Sequence, residues 1–289
     1  MHQPIILVTG SNGQLGKSLK KIAASYPQFR FVFASREDLA LHHYGLVENY
    51  FAALRPQYCI NCAAYTAVDK AETEQDVAML INGEAVGHLA KVCTQFGTRL
   101  VHISTDYVFD GTSATPYQPT DPTGPINVYG HSKLKGEELC RVNAIDAIIM
   151  RTSWVYSEFG QNFVKTMLRL MKEKPSIRVV NDQIGAPTYA VDLAKAILEV
   201  IVRGNWFPGI YHYCNRGRIS WYDFALAIRN AMGYACEVLA IPSSEFPTPA
   251  RRPKYSLLDT NSFEKSFGIP IPDWEESLKS CLAALNDLA

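Results

Sequence analysis

An apolar run, Ile5-Ile6-Leu7-Val8-Thr9, opens directly into Gly10-Ser11-Asn12-Gly13-Gln14-Leu15-Gly16, and a helix-like stretch follows to about Ser25. Few local features restrict a fold so strongly. A continuous apolar strand must be paired along its edges and covered on both faces. Glycines at G-x-x-G-x-x-G spacing between a first strand and a first helix permit a tight turn. They also let a ligand approach the backbone and aim helix N–H groups at phosphate. The alternative is an ordinary glycine-rich turn. The position, near the N-terminus and between a strand and a helix, favours a loop for a dinucleotide pyrophosphate.

The rest of the first half keeps the same rhythm. Strands are expected at Phe29–Ala34, Tyr58–Cys62, Arg99–Ser104 and Ala147–Arg151. Helices are expected over Tyr44–Leu54 and Gln75–Phe96, and from Tyr129 to about Val142. Alternation of this kind builds a parallel sheet covered on both sides. The expected fold is therefore α/β, a Rossmann-type doubly wound parallel sheet with a smaller C-terminal substrate-binding region. Residues 1–151 form the dinucleotide-binding part. Residues 152–289 are mainly substrate-binding, with a segment at about 177–203 returning to the first part.

Bulk composition narrows the function classes. Of 289 residues, 47% are hydrophobic and 19% charged, a soluble globular balance rather than a disordered one. Lys+Arg and Asp+Glu are both 28, so nothing points to a nucleic-acid partner held by bulk positive charge. No stretch approaches the ~18 apolar residues of a membrane span, and no secretory leader is seen. The expected location is the cytoplasm. Seven scattered cysteines fit reduced thiols there. Cys59 and Cys62 form a C-x-x-C, but inside an apparent buried strand and without a second pair at zinc-site spacing.

Candidate chemistry gathers where such a sheet gathers its ligands, at the carboxyl ends of the strands. Tyr129 and Lys133 are four apart and share one helix face. An ammonium there lowers the phenol's pKa towards neutrality and makes it a usable proton donor. By itself the spacing is also that of a surface tyrosine beside a solvated lysine. Thr105, ending the fourth strand, can hydrogen-bond a carbonyl held by Tyr129, or be a turn hydroxyl. Ala63, Ala64, Tyr65 and Thr66 follow the third strand with the small residues that close cofactor approach needs, or that helix–strand packing needs. After the second strand the first charged residue is Arg36, which favours the 2′-phosphate of NADP(H), a solvated surface arginine being the alternative.

Together, Gly10-x-x-Gly13-x-x-Gly16, Thr105 and Tyr129-x-x-x-Lys133 resemble the extended short-chain dehydrogenase/reductase superfamily. Longer strings narrow it. Residues 63–72 (AAYTAVDKAE), 104–111 (STDYVFDG), 127–130 (NVYG), 151–156 (RTSWVY) and 181–188 (NDQIGAPT) are similar to the dTDP-4-dehydrorhamnose reductase family, as is Arg252-Pro253 with Ser256 and Asp259. The resemblance implies reduction of the 4-keto group of dTDP-4-dehydro-L-rhamnose, the last step to dTDP-L-rhamnose, with NADPH, or NADH in its place. Tyr129 donates the proton, Lys133 grips the nicotinamide ribose, and Thr105 bonds the carbonyl. Asp106 and Trp154 meet the sugar, and Asn162 and Arg252 are expected towards the nucleotide. Gly10, Asn12, Gly13, Gln14, Leu15 and Gly16 cradle the pyrophosphate, and Ala63 to Thr66 form a second cofactor segment. Where many members carry a carboxylate after the second strand, this chain has Leu39-Ala40-Leu41, so Leu41 is left to line the adenine. The glutamate that links some members through magnesium aligns with Val191, so no metal is expected, and the chain is taken as a monomer or weak homodimer. A nucleotide-sugar dehydratase would need an acid after Asp106, and Tyr107 stands there. A non-catalytic subunit of the methionine adenosyltransferase regulatory type, or a reductase for a UDP-linked sugar, stays open on sequence alone.

Overall fold

The computed structural model describes residues 3–287. Five strands of the first half, β1 (Ile5–Thr9), β2 (Arg30–Ala34), β3 (Tyr58–Asn61), β4 (Arg99–Thr105) and β5 (Ile148–Thr152), form one parallel sheet. Their spatial order is β2-β1-β3-β4-β5, and Gly209–His212 pairs parallel with β5 as the sixth strand. Strand order reverses between β1 and β3, so a crevice opens there beyond the strands' carboxyl ends. In β1 the side chains alternate: Ile6 and Val8 join one buried cluster and Leu7 the other. Every residue of β1 is buried, as a strand covered on both faces requires.

The second half weaves more than expected. Helix Ala190–Arg203 packs under the sheet through Leu193, Ile197 and Ile201 in the cluster that holds Ile6 and Val8. Residues 190–212 therefore return to the sheet. Ser176–Val180, expected to return with them, instead pairs in parallel with Glu237–Ile241 as a separate two-stranded ribbon. That ribbon backs a smaller lobe whose core includes Tyr156, Val164, Phe224 and Trp274. Phe263 and Phe267 of helix Asn261–Phe267 cross back to the large core. Short strands such as Gly209–His212 carry too few residues for their period to be read without the partner strand. Among the described residues no helix is long and apolar enough to cross a membrane.

One expected element is interrupted. The helix over Gln75–Phe96 is α-helical at Gln75–Met79 and Ala85–Gln95, with a π-helical turn at Leu80–Glu84 between them. π-Turns inside helices recur at functional sites, and this one places Asn82 where the site uses it.

Candidate active site

The crevice is a cleft of about 1030 Å³. One end is built from the glycine loop. Gly10 has φ 63°, a left-handed conformation suited to glycine, and a Cβ there would lie 2.6 Å from the Ala63 backbone. Gly16 does not line the cleft: it lets the first helix press onto the Gly10 and Ser11 backbone, where a Cβ would again sit at 2.6 Å. Asn12, Gly13, Gln14 and Leu15 do line it, as do Leu41, Ala63, Ala64, Tyr65 and Thr66. Arg36 stands exposed at the rim. Asp38 is turned into its own loop, accepting from the Ser35 N–H at 2.9 Å, and the Ser35 hydroxyl holds the Glu37 carboxylate below its usual range. If Arg36 meets the 2′-phosphate, replacing it by alanine is expected to weaken NADPH about tenfold while leaving NADH little changed, because a charge-assisted contact would be lost. Equal weakening of both cofactors in a binding titration would make Arg36 a surface residue only.

The chemical end is carried by helix Val128–Asn143. Asn127 caps it, its Oδ1 accepting from the Gly130 N–H at 2.7 Å, while its Nδ2 donates to the Arg251 carbonyl at 2.7 Å. At Gly130 a side chain would collide with the Tyr107 carbonyl, and at Gly136 with that of Asn82, so both glycines bring the helix close to its neighbours. A buried, bidentate Arg151–Glu137 pair, with contacts of 2.9 and 2.7 Å, ties the helix to β5. Tyr129, Lys133 and Thr105 all face the same cleft. The Lys133 ammonium donates to the Ile103 carbonyl at 2.6 Å, and the Tyr129 ring meets Tyr107 edge-on at 5.8 Å.

The electrostatics of the pair differ from the expectation. Burial pushes the Tyr129 phenol up to about 12, the Thr105 side chain opposing this and the Asp106 carboxylate adding to it. Burial pulls Lys133 down to about 8, with Glu137 opposing. In each group the loss of hydration on burial is the largest cause, and it disfavours the charged form. Tyr129 is therefore fully protonated at neutral pH, the form a proton donor requires.

Asp106 is the other perturbed group. Burial raises it to about 7, which the Ser256 and Thr105 hydroxyls offset only in part. Its Oδ1 accepts from Thr105 at 3.0 Å, and its Oδ2 has no hydrogen-bond partner among the described residues. A raised carboxylate binds its proton in the native state while the unfolded chain has released it, so stability falls as pH rises from about 4 to about 7. Asp106→Asn is thus expected to be more stable than wild type above neutrality, by a few kcal/mol at most, with the gain vanishing near pH 4. Thermal melts across that range would show a pH-independent difference if Asp106 were ionised throughout.

The remaining expected residues fall into two groups. Trp154 lines the cleft with an unusual φ of 47°. Asn162 and Arg252 also line it, but their polar atoms are engaged. Asn162 caps helix Phe163–Glu173 and donates to the Gln14 side chain at 2.9 Å. Gln14 also donates to the Val155 carbonyl at 3.2 Å, so the glycine loop is stitched to the Trp154 strip. Arg252 holds Asp69 through contacts of 3.1 and 2.9 Å, and this guanidinium keeps the Asp69 carboxyl below its usual range. Asn82 was not foreseen. It accepts from Tyr65 N–H at 2.8 Å, donates to the Tyr65 carbonyl at 2.9 Å and to Ser132 at 3.0 Å. One buried amide, carried on the π-turn, so fixes the segment at Tyr65 to the helix of Tyr129.

Comparison with known proteins agrees with this geometry. The RmlD substrate binding domain family matches residues 4–287. The spore coat polysaccharide biosynthesis protein SpsK of Bacillus subtilis is 41% identical, with 96% of each chain covered. The dTDP-4-dehydrorhamnose reductase of Aggregatibacter actinomycetemcomitans is 39% identical over 96% of this chain and 98% of its own. The crystal structure of dTDP-4-dehydrorhamnose reductase from Bacillus anthracis, in complex with NADP, superposes with a TM-score of 0.94. It is 38% identical and covers 98% of this chain and 100% of that one. A doubly wound sheet, a glycine loop and a buried tyrosine–lysine helix thus coincide with full-length similarity, and the chain belongs to the dTDP-4-dehydrorhamnose reductase family of the extended short-chain dehydrogenase/reductases.

Proposed function

We propose that the protein reduces the 4-keto group of dTDP-4-dehydro-L-rhamnose to dTDP-L-rhamnose, with NADPH as hydride source and NADH as its alternative. The observation that carries this reading is the convergence of Tyr129, Lys133 and Thr105 in one cleft with the glycine loop. The cleft suits the cofactor: backbone exposed along its wall at Gly10 and Gly13, small residues at Ala63 and Ala64, and a basic rim at Arg36. When bound, the dinucleotide supplies the hydride. Thr105 and Tyr129 hold the carbonyl oxygen by hydrogen bonds, orienting the keto carbon. As charge develops on that oxygen, the Tyr129 phenol gives up its proton; an alkoxide is a stronger base than a phenolate, so the transfer is downhill even for a phenol held near 12. Lys133 lies one turn away, where it can grip the nicotinamide ribose and stabilise the phenolate left behind. Asp106 and Trp154 face the sugar, and Arg252 stands nearer the nucleotide.

The residues are unsuited to the dehydratase alternative, since Tyr107, not an acid, follows Asp106. Mixing the protein with dTDP-4-dehydrorhamnose and NADPH is expected to oxidise the cofactor, with dTDP-rhamnose as product by mass spectrometry. Cofactor binding without substrate-dependent oxidation would instead support a non-catalytic binding role.

A further inference from the structure

The wall of the cleft that carries Trp154 has a second layer. With φ 47°, Trp154 adopts a left-handed conformation that is costly for a bulky residue and persists only where its surroundings hold it. Its indole lies flat on that of Trp221, with ring centroids 3.7 Å apart and planes 14° from parallel. Trp221 meets Phe163 at 4.6 Å, and Phe163 stacks on the fully buried Phe224 at 5.6 Å. The aromatic column therefore runs from the cleft into the core of the small lobe.

Backbone geometry sets where Trp221 begins its helix. Ser220 caps Trp221–Met232 in a capping box: its hydroxyl accepts from the Asp223 N–H at 3.1 Å, and Asp223 accepts from the Ser220 N–H at 2.9 Å. Ile219 and Ser220 also pair with Gly185 and Ile184 in an antiparallel ladder. Gly185 in turn limits Trp154, since a Cβ there would stand 2.9 Å from the indole. The glycine and Trp221 confine one ring, and Trp154, Trp221 and Phe163 all border the cleft.

We infer that Trp221 is a positioning residue of the reductase, setting the orientation of Trp154 against the apolar face of the deoxysugar. This rests on the reductase reading above. An indole wall contributes to ground state and transition state alike, so its disturbance raises KM for the nucleotide sugar rather than lowering kcat.

The test uses Trp221→Ala, Trp221→Phe and Gly185→Ala in the full-length protein, with steady-state kinetics in both substrates, melting curves and far-ultraviolet circular dichroism. Stacked indoles give the wild type an exciton couplet, which Trp221→Ala abolishes. KM for the nucleotide sugar rises about tenfold in Trp221→Ala, while KM for NADPH and kcat stay near wild type. Trp221→Phe keeps a flat ring and restores most of the affinity. Gly185→Ala presses a methyl group on Trp154 with Trp221 untouched, and raises the same KM; it decides the matter with Trp221→Phe if Trp221→Ala does not fold. Lowered melting temperature with unchanged KM would overturn the inference, leaving Trp221 as core packing. A wild type that never oxidises NADPH would instead remove the reductase reading and the inference together.

Discussion

Tyr129→Phe is expected to turn over at least about a hundredfold more slowly than wild type, because the proton for the sugar alkoxide no longer comes from a positioned group. The substitution removes one oxygen and keeps the ring, so the edge-on contact with Tyr107 survives. Burial already penalises the phenol's ionised form, and phenylalanine carries no such penalty. Melting temperature and cofactor affinity should therefore stay near wild type, and the loss should appear in kcat. Near-wild-type turnover in the same NADPH assay would remove Tyr129 from its role.

Lys133→Met has a comparably large effect by another route. Methionine fills similar volume but cannot donate to the Ile103 carbonyl, grip a ribose hydroxyl or stabilise a phenolate. A loss of about a hundredfold or more in kcat/KM is expected, with KM for NADPH raised. The pH profile separates this from unfolding. With the ammonium held down to about 8, wild-type kcat/KM should decline as pH rises through that value, and the variant should lack that limb. Stability works in the opposite sense. A lysine with a lowered native pKa costs stability while charged, and the cost is relieved as pH rises from about 8 towards the usual lysine value. The variant is thus expected to melt no lower than wild type at neutral pH. A variant that melts much lower, with the alkaline limb intact, would make Lys133 a structural residue.

Much of the fold was legible because its signals are local. Ile5–Thr9 followed by three glycines needs nothing distant to announce a strand, a turn and a phosphate-ready helix. Tyr129 and Lys133 share a face by helical spacing alone, and Thr105 follows from its place at a strand end. The helix over Tyr44–Leu54 has the expected bounds. Where an element's place depends on a partner, that place was not legible. Gly209–His212 becomes a strand by pairing with β5, and Ser176–Val180 chooses Glu237–Ile241 over the main sheet. Nothing in a period of two tells a strand which sheet it joins.

The candidate site divides along the same line. By itself the sequence determined which residue types stand at the cleft: glycines where backbone must approach phosphate, a tyrosine and lysine one turn apart, and a threonine–aspartate pair at the end of β4. These follow from covalent spacing and the repeat of helix and strand. Tertiary structure alone decided their state. Burial, a property of the whole packed chain, raises Tyr129 and Asp106 and lowers Lys133, and so outweighs what helical spacing alone suggests for the phenol. It also decided the contacts that bridge long sequence separations: Asn82 to Tyr65 and Ser132, Asn162 to Gln14, and Trp221 to Trp154. Desolvation and long-range contact depend on what the folded chain brings around a group, and no local spacing encodes either.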